Sequence, residues 1–183
     1  MDPTRLAALE RRVHGAYERG RARRALGVAL LAAIPGIAAW LLGGGLRPLA
    51  LAAAAYVAYA LCLWRGQWLG RGARAGLLWG LVPFALAQLA QPLGGCHVGG
   101  ACLSWCSIAC SVGGLAVGGG VSWGASRAAA PVRFWVAGSS VALLAGATAC
   151  RCAGVSSLLG MAIGLLVTTA PLAPRLLARR PAA

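Results

Sequence analysis

Six apolar runs alternate with short polar or glycine-rich segments along the chain. Each run approaches the roughly 20 residues that a helix needs to cross a hydrocarbon core about 30 Å thick. The pattern therefore predicts six membrane-spanning helices, at residues 25–42, 49–64, 76–93, 101–123, 134–149 and 155–172. Because the connections between the runs are short, we expect consecutive helices to be antiparallel neighbours.

The composition strengthens this interpretation. The 183 residues are 60% hydrophobic and only 11% charged, and the mean hydropathy is +0.75, far from the values of soluble domains. We predict an all-α integral membrane protein, a six-helix transmembrane bundle with a short N-terminal amphipathic cytoplasmic helix. Its parts are a cytoplasmic segment at 1–24, the transmembrane domain at 25–174 and a basic tail at 175–183.

The distribution of arginine predicts the orientation. The chain has 17 arginines, no lysine and three acidic residues. Fifteen arginines lie in the N-terminal segment, the second and fourth connections and the tail, whereas Arg47 and Arg151 lie in the other connections. Basic side chains are retained on the cytoplasmic side of a membrane. We therefore expect a multi-pass protein of the bacterial inner membrane with both termini cytoplasmic, as an even number of spans requires.

The segment before the first run predicts an amphipathic helix. Between its arginines, apolar residues recur at helical spacing and form an apolar stripe of Leu6, Leu9, Val13 and Tyr17. Two roles fit this helix: an interfacial anchor among the anionic headgroups of the lipid bilayer, or a docking helix for a cytosolic protein. Gly15 and Gly20 are expected to interrupt it.

Several functional classes conflict with the sequence. No charged residue or histidine lies within a predicted span, and the three acidic residues, Asp2, Glu10 and Glu18, all precede the first span. Proton-coupled transport and hydrolysis by a serine, histidine and carboxylate triad both need such groups, so we expect no enzyme. The arginines lie between apolar runs, without stacking aromatics, which argues against direct nucleic-acid binding.

Small and aromatic residues in the spans are typical of helix packing in lipid. Glycines separated by three residues, which let helix backbones approach closely, occur as Gly76 with Gly80, Gly114 with Gly118, and Gly160 with Gly164. Tryptophans near the ends of the runs are typical of interfacial anchors: Trp64, Trp105, Trp123 and Trp135.

The segment 94–110, GGCHVGGACLSWCSIAC, holds four of the seven cysteines and one of the two histidines. In the predicted topology, these groups share the outer side of the membrane with the cysteines that flank Arg151, as the set Cys96, His97, Cys102, Cys150 and Cys152. Further along, Cys102, Cys106 and Cys110 are spaced by four and descend on one helix face. Cys62, near the cytoplasmic end of the second span, is expected to be a small buried hydrophobe.

Three roles stay open for the outer cysteines. The first is to fill space between helices, the second is to form a redox or disulfide pair in an oxidising compartment, and the third is to bind zinc or another soft metal. The ligands of such a metal would be Cys96, His97, Cys102 and Cys106. No other cofactor is expected.

The second half of the chain resembles a known family. The residues that carry the resemblance are Cys106 at the outer start of span four, "RAAAP" at 127–131, "LLAG" at 143–146, and Cys152 after span five. These features are similar to those of the six-span integral-membrane anti-sigma factors of Gram-negative bacteria, the NrsF type. The resemblance implies a protein that holds an extracytoplasmic-function sigma factor through its N-terminal segment and frees it on a signal.

The resemblance also matches Cys106 and Cys152 to the two cysteines of that family. With Cys102 and Cys150 in support, they are the expected signal-sensing residues, and the apolar stripe is the expected sigma-binding face. Two other functions remain: a small membrane protein that binds or moves a soft metal ion through Cys102, Cys106 and Cys110, or a structural subunit of a larger membrane assembly.

Overall fold

A computed structural model describes residues 3–41, 46–94, 102–148, 154–172 and 174. Within these residues the chain is entirely helical, without strands. The helices are α1 (Pro3–Leu41), α2 (Arg47–Arg65), α3 (Gln67–Gly94), α4 (Cys102–Ser126), α5 (Pro131–Ala147) and α6 (Gly154–Thr169), followed by a 3₁₀ turn at Ala170–Leu172. The prediction of an all-α fold with six helices at the six apolar runs is confirmed.

Two helices extend well beyond their apolar runs. α1 begins at Pro3 and continues through Gly15 and Gly20, so the predicted interruption there is wrong. α3 begins at Gln67, nine residues before the predicted span, which leaves Gly66 as the single residue between α2 and α3. Gly66 has φ of 134°, a conformation that favours glycine. The second predicted connection is therefore a tight corner between two helices.

Three helical segments among the described residues are long and apolar enough to cross a membrane: Leu9–Leu41, Arg47–Arg65 and Ile108–Ser126. Two further apolar segments, Pro131–Ala147 and Leu159–Thr169, are shorter than a full span. These helices indicate a membrane protein. Six spans and the orientation of the termini stay predictions.

The closest packing joins α3 to α5 and α4 to α6, helices that are two apart in the chain. In α3, a Cβ atom on Gly72, Gly76 or Gly80 would meet Phe134, Gly138 or Ala142 of α5, respectively. In α4, Gly114 and Gly118 contact Met161 and Leu165 of α6 in the same way. Since residue numbers rise together in each pair, α3 runs parallel to α5 and α4 runs parallel to α6. The packing role predicted for Gly76, Gly80, Gly114, Gly118 and Gly164 is confirmed.

Most of the buried apolar side chains are alanines. Ala29, Ala32 and Ala55 are fully buried, whereas large apolar side chains such as Leu30 and Leu78 are exposed. In water this arrangement would be unfavourable, because leucine has more to gain from burial than alanine has. In lipid the gain disappears, and small residues are favoured at helix contacts because they let backbones approach. The distribution is therefore typical of helices packed in a bilayer.

Candidate partner-binding site on the N-terminal helix

α1 is about twice as long as the hydrocarbon core of a membrane is thick. Its 39 residues correspond to about 58 Å at 1.5 Å per residue, against about 30 Å for the hydrocarbon core. The apolar half of α1, from Ala25 to Leu41, corresponds to about 26 Å at the same rise, which covers most of that core. Residues 3–24 therefore form a helical extension that continues along the axis of the span.

The apolar stripe lies on this extension and is open to its surroundings. The exposed fractions of Leu9, Val13 and Tyr17 are 55%, 67% and 64%. Leu6 belongs to the same helix, but its side chain is outside what the structure describes. Arg12 and Arg19 are exposed on a different face of the helix, about 100–120° around the axis from the centre of the stripe. The extension thus offers one apolar and one basic face.

Two contacts join the base of the extension to the corner between α2 and α3. The indole Nε1 of Trp64 donates a hydrogen bond of 3.0 Å to Oε2 of Glu18. A Cβ atom added to Gly66 would stand 3.3 Å from Nη2 of Arg21, which places this guanidinium beside the corner. Tyr17, the stripe residue nearest the bundle, immediately precedes Glu18 in the chain. The other stripe residues lie nearer the N-terminus, further from the bundle.

Neither contact follows from the sequence analysis, which assigned Trp64 to the membrane interface. One signal was available: an indole N–H needs an acceptor, and the chain has only three carboxylate side chains. Which of these carboxylates lies near Trp64 depends on whether α1 is continuous. The hydropathy pattern does not show this.

Most of the outer cysteine cluster falls outside the described residues. This applies to Cys96, His97, Cys150 and Cys152 entirely, and to the side chains of Cys102 and Cys106, whose backbone lies in the first turns of α4. Cys110, one turn further along α4, is 3% exposed, and Cys62 is half-buried. The described residues contain no group of three or more histidine, cysteine or acidic side chains able to hold a metal ion.

Comparisons of this chain with known protein families, with curated proteins and with solved structures find no match.

Proposed function

We propose that this protein is a membrane-bound anti-sigma factor that sequesters an extracytoplasmic-function sigma factor and releases it on a signal sensed at the outer face. One observation carries the proposal: the apolar stripe is uncovered on a helical extension that continues a candidate membrane span. The role is binding, with no catalytic site and no cofactor. The protein sits in the bacterial inner membrane with six spans and both termini in the cytoplasm.

The continuity of α1 favours docking over interfacial anchoring. An interfacial helix lies in the membrane plane, with its apolar face among the acyl chains. A helix that continues a span without a break leaves the membrane instead, and so carries its apolar residues away from lipid. Exposed side chains such as Val13 then face the cytosol, where only a protein partner can cover them.

An amphipathic helix of this kind fits a well-known binding mode. Its apolar residues at helical spacing would fill a groove on the partner, while its arginines would steer the approach of an acidic surface. The sigma factor as partner is suggested by the resemblance of residues 104–166 to the NrsF-type proteins.

Helix direction and charge support the proposed topology. Because α3 is parallel to α5, and α4 to α6, the chain can cross the membrane in alternating directions. The arginine-rich segments then all fall on the side of the N-terminal extension, as the retention of positive charge on the cytoplasmic side demands.

The test is co-sedimentation from cells that produce the full-length chain. Each extracytoplasmic-function sigma factor of the host is co-expressed with it, and the amount recovered with washed membranes is measured. The stripe variant Leu9→Gln with Val13→Gln keeps good helix formers and removes two apolar contacts worth roughly 1.5 kcal/mol or more each. We expect about a 100-fold loss of affinity for the bound sigma factor.

The matched control is Arg12→Gln with Arg19→Gln, on the basic face of the same helix, about 100–120° around the axis from the stripe. This control should retain sigma factor at physiological ionic strength. Recovery of no sigma factor with wild-type membranes, or equal retention by the stripe variant and the wild type, would refute the proposal.

A further inference from the structure

A cavity of about 430 Å³ lies between α1 and the corner of α2 and α3. Its volume is within the range of small-molecule sites, about 300–1,000 Å³. Three guanidinium groups line it, those of Arg21 and Arg24 from α1 and that of Arg74 from α3. No carboxylate is among the described residues of its wall. The cavity therefore gathers positive charge from two helices without an acidic side chain to balance it.

The cavity is apolar at one end. Val28 and Leu63 belong to its wall, and Val28 lies one turn beyond Arg24, inside the apolar part of α1. Arg24 is the last charged residue before that part, and Arg74 is the last before the apolar part of α3. The three arginines therefore lie at the level where the polar ends of the helices meet the membrane core.

One of the arginines lies beside a buried tyrosine. The side chain of Tyr59, only 2% exposed, is within hydrogen-bonding reach of Arg74. A guanidinium oriented in this way loses less entropy when it binds an anion than a freely rotating one does. Planar guanidinium groups bind phosphate oxygens through paired N–H donors, so three of them form a suitable site for a phosphate group.

We infer that this cavity binds the phosphate headgroup of an anionic phospholipid of the cytoplasmic leaflet. The arginines would contact the phosphate, and the apolar end, with Val28 and Leu63, would contact the start of the acyl chains. Basic pockets between membrane helices on this side bind such headgroups in other proteins. The inference concerns a lipid and stands independently of the sigma factor proposed above.

The experiment uses the full-length protein in a neutral detergent. Phosphatidylglycerol and phosphatidylcholine with identical acyl chains are added in equal amounts, and bound lipid is measured by native mass spectrometry. We expect wild-type protein to retain phosphatidylglycerol over phosphatidylcholine by at least about fivefold. The triple variant Arg21→Gln, Arg24→Gln, Arg74→Gln should retain both lipids equally. The single variant Arg24→Gln, at an exposed position, should show an intermediate preference.

The matched control is Arg12→Gln, Arg19→Gln, Arg23→Gln, which removes the same charge from the opposite side of α1 and should keep the preference. Equal losses in both triple variants would show diffuse attraction and overturn the inference. A further arm adds an excess of inorganic phosphate. Persistence of bound phosphatidylglycerol supports a lipid site, whereas its displacement by free phosphate would assign the cavity to a soluble anion and overturn the lipid assignment.

Discussion

The indole of Trp64 and the carboxylate of Glu18 are joined by a hydrogen bond of 3.0 Å, although the two residues belong to different helices and are 46 positions apart. The bond ties the last turn of α2 to the base of the N-terminal extension. Its position is significant because α1 packs mainly on α2 and has few contacts with the rest of the bundle. The orientation of the extension is therefore controlled by a small number of side chains.

Removal of this bond should loosen the extension. Trp64→Phe keeps the aromatic ring and deletes the N–H donor, at a cost of about 1 kcal/mol in local stability. We expect amide hydrogen exchange in residues 9–18 to become about fivefold faster. Trp123→Phe, in α4, is the control and should leave these amides unchanged. Equal exchange in wild type and Trp64→Phe would show that other contacts hold the extension.

The glycines between α3 and α5 should be sensitive to a single methyl group. A Cβ atom on Gly76 would meet the backbone of Gly138, whereas one on Gly119 has no neighbour within 4 Å. We expect Gly76→Ala to lower the free energy of unfolding by about 1–3 kcal/mol through overpacking. Gly119→Ala should leave it unchanged or raise it by up to about 1 kcal/mol, because alanine is the better helix former.

Unfolding in mixed micelles with increasing denaturing detergent measures both variants. The close approach of α3 and α5 would be contradicted if Gly76→Ala were as stable as Gly119→Ala.

The proposed topology is tested with a reporter enzyme that is active only outside the cytoplasm. Fusions after Arg71, Arg127 and the last residue should be inactive, because positive side chains keep these positions inside. Fusions after Leu46 and Arg151 should be active. Activity at the C-terminus would contradict an even number of spans with a cytoplasmic N-terminus.

The cysteine pair is tested by Cys106→Ser and Cys152→Ser, singly and together. If the two residues form a disulfide or share a metal, each single variant should alter the sigma-dependent promoter as much as the double variant does, because either change abolishes the link. The thiol state is measured by the mass added on alkylation. Cys62→Ser, at the far end of the bundle, is the control. Unchanged promoter output in all variants, at normal protein levels, would leave these cysteines a packing role.

Hydropathy was sufficient to locate the helices but not their ends. The run that begins at Phe134 was found within three residues of the start of α5 at Pro131, where the proline fixes the first turn. The start of α3 was missed, and so was the continuity of the N-terminal helix with the first span, because arginines do not prevent a helix from continuing outside the membrane. Arginine is in fact a good helix former, and Arg71 stacks on Trp68 one turn before it, at 4.8 Å from the ring centre.

The residues of the candidate sites could likewise be predicted only in part. The spacing of Leu9, Val13 and Tyr17 predicted a shared helix face, since that depends only on the period of one helix. The arginine-lined cavity was not predictable, because Arg24 and Arg74 are 50 positions apart in the chain and meet only through the packing of α1, α2 and α3. Spacing of small residues likewise predicted that Gly76 packs, but not that its partner is Gly138.

Because α1 is continuous, the direction in which the side chains of its N-terminal half point is fixed relative to its apolar half. One residue inserted between Tyr17 and Ala25 would turn every side chain before it by about 100° around the helix axis and move it 1.5 Å along that axis. The stripe would then face a different direction relative to α2, although each half of the helix would be unchanged. An insertion of seven residues, close to two full turns, would bring the stripe back to within about 20° of its original direction. The number of residues in this stretch is therefore as much a determinant of where the stripe points as their identity.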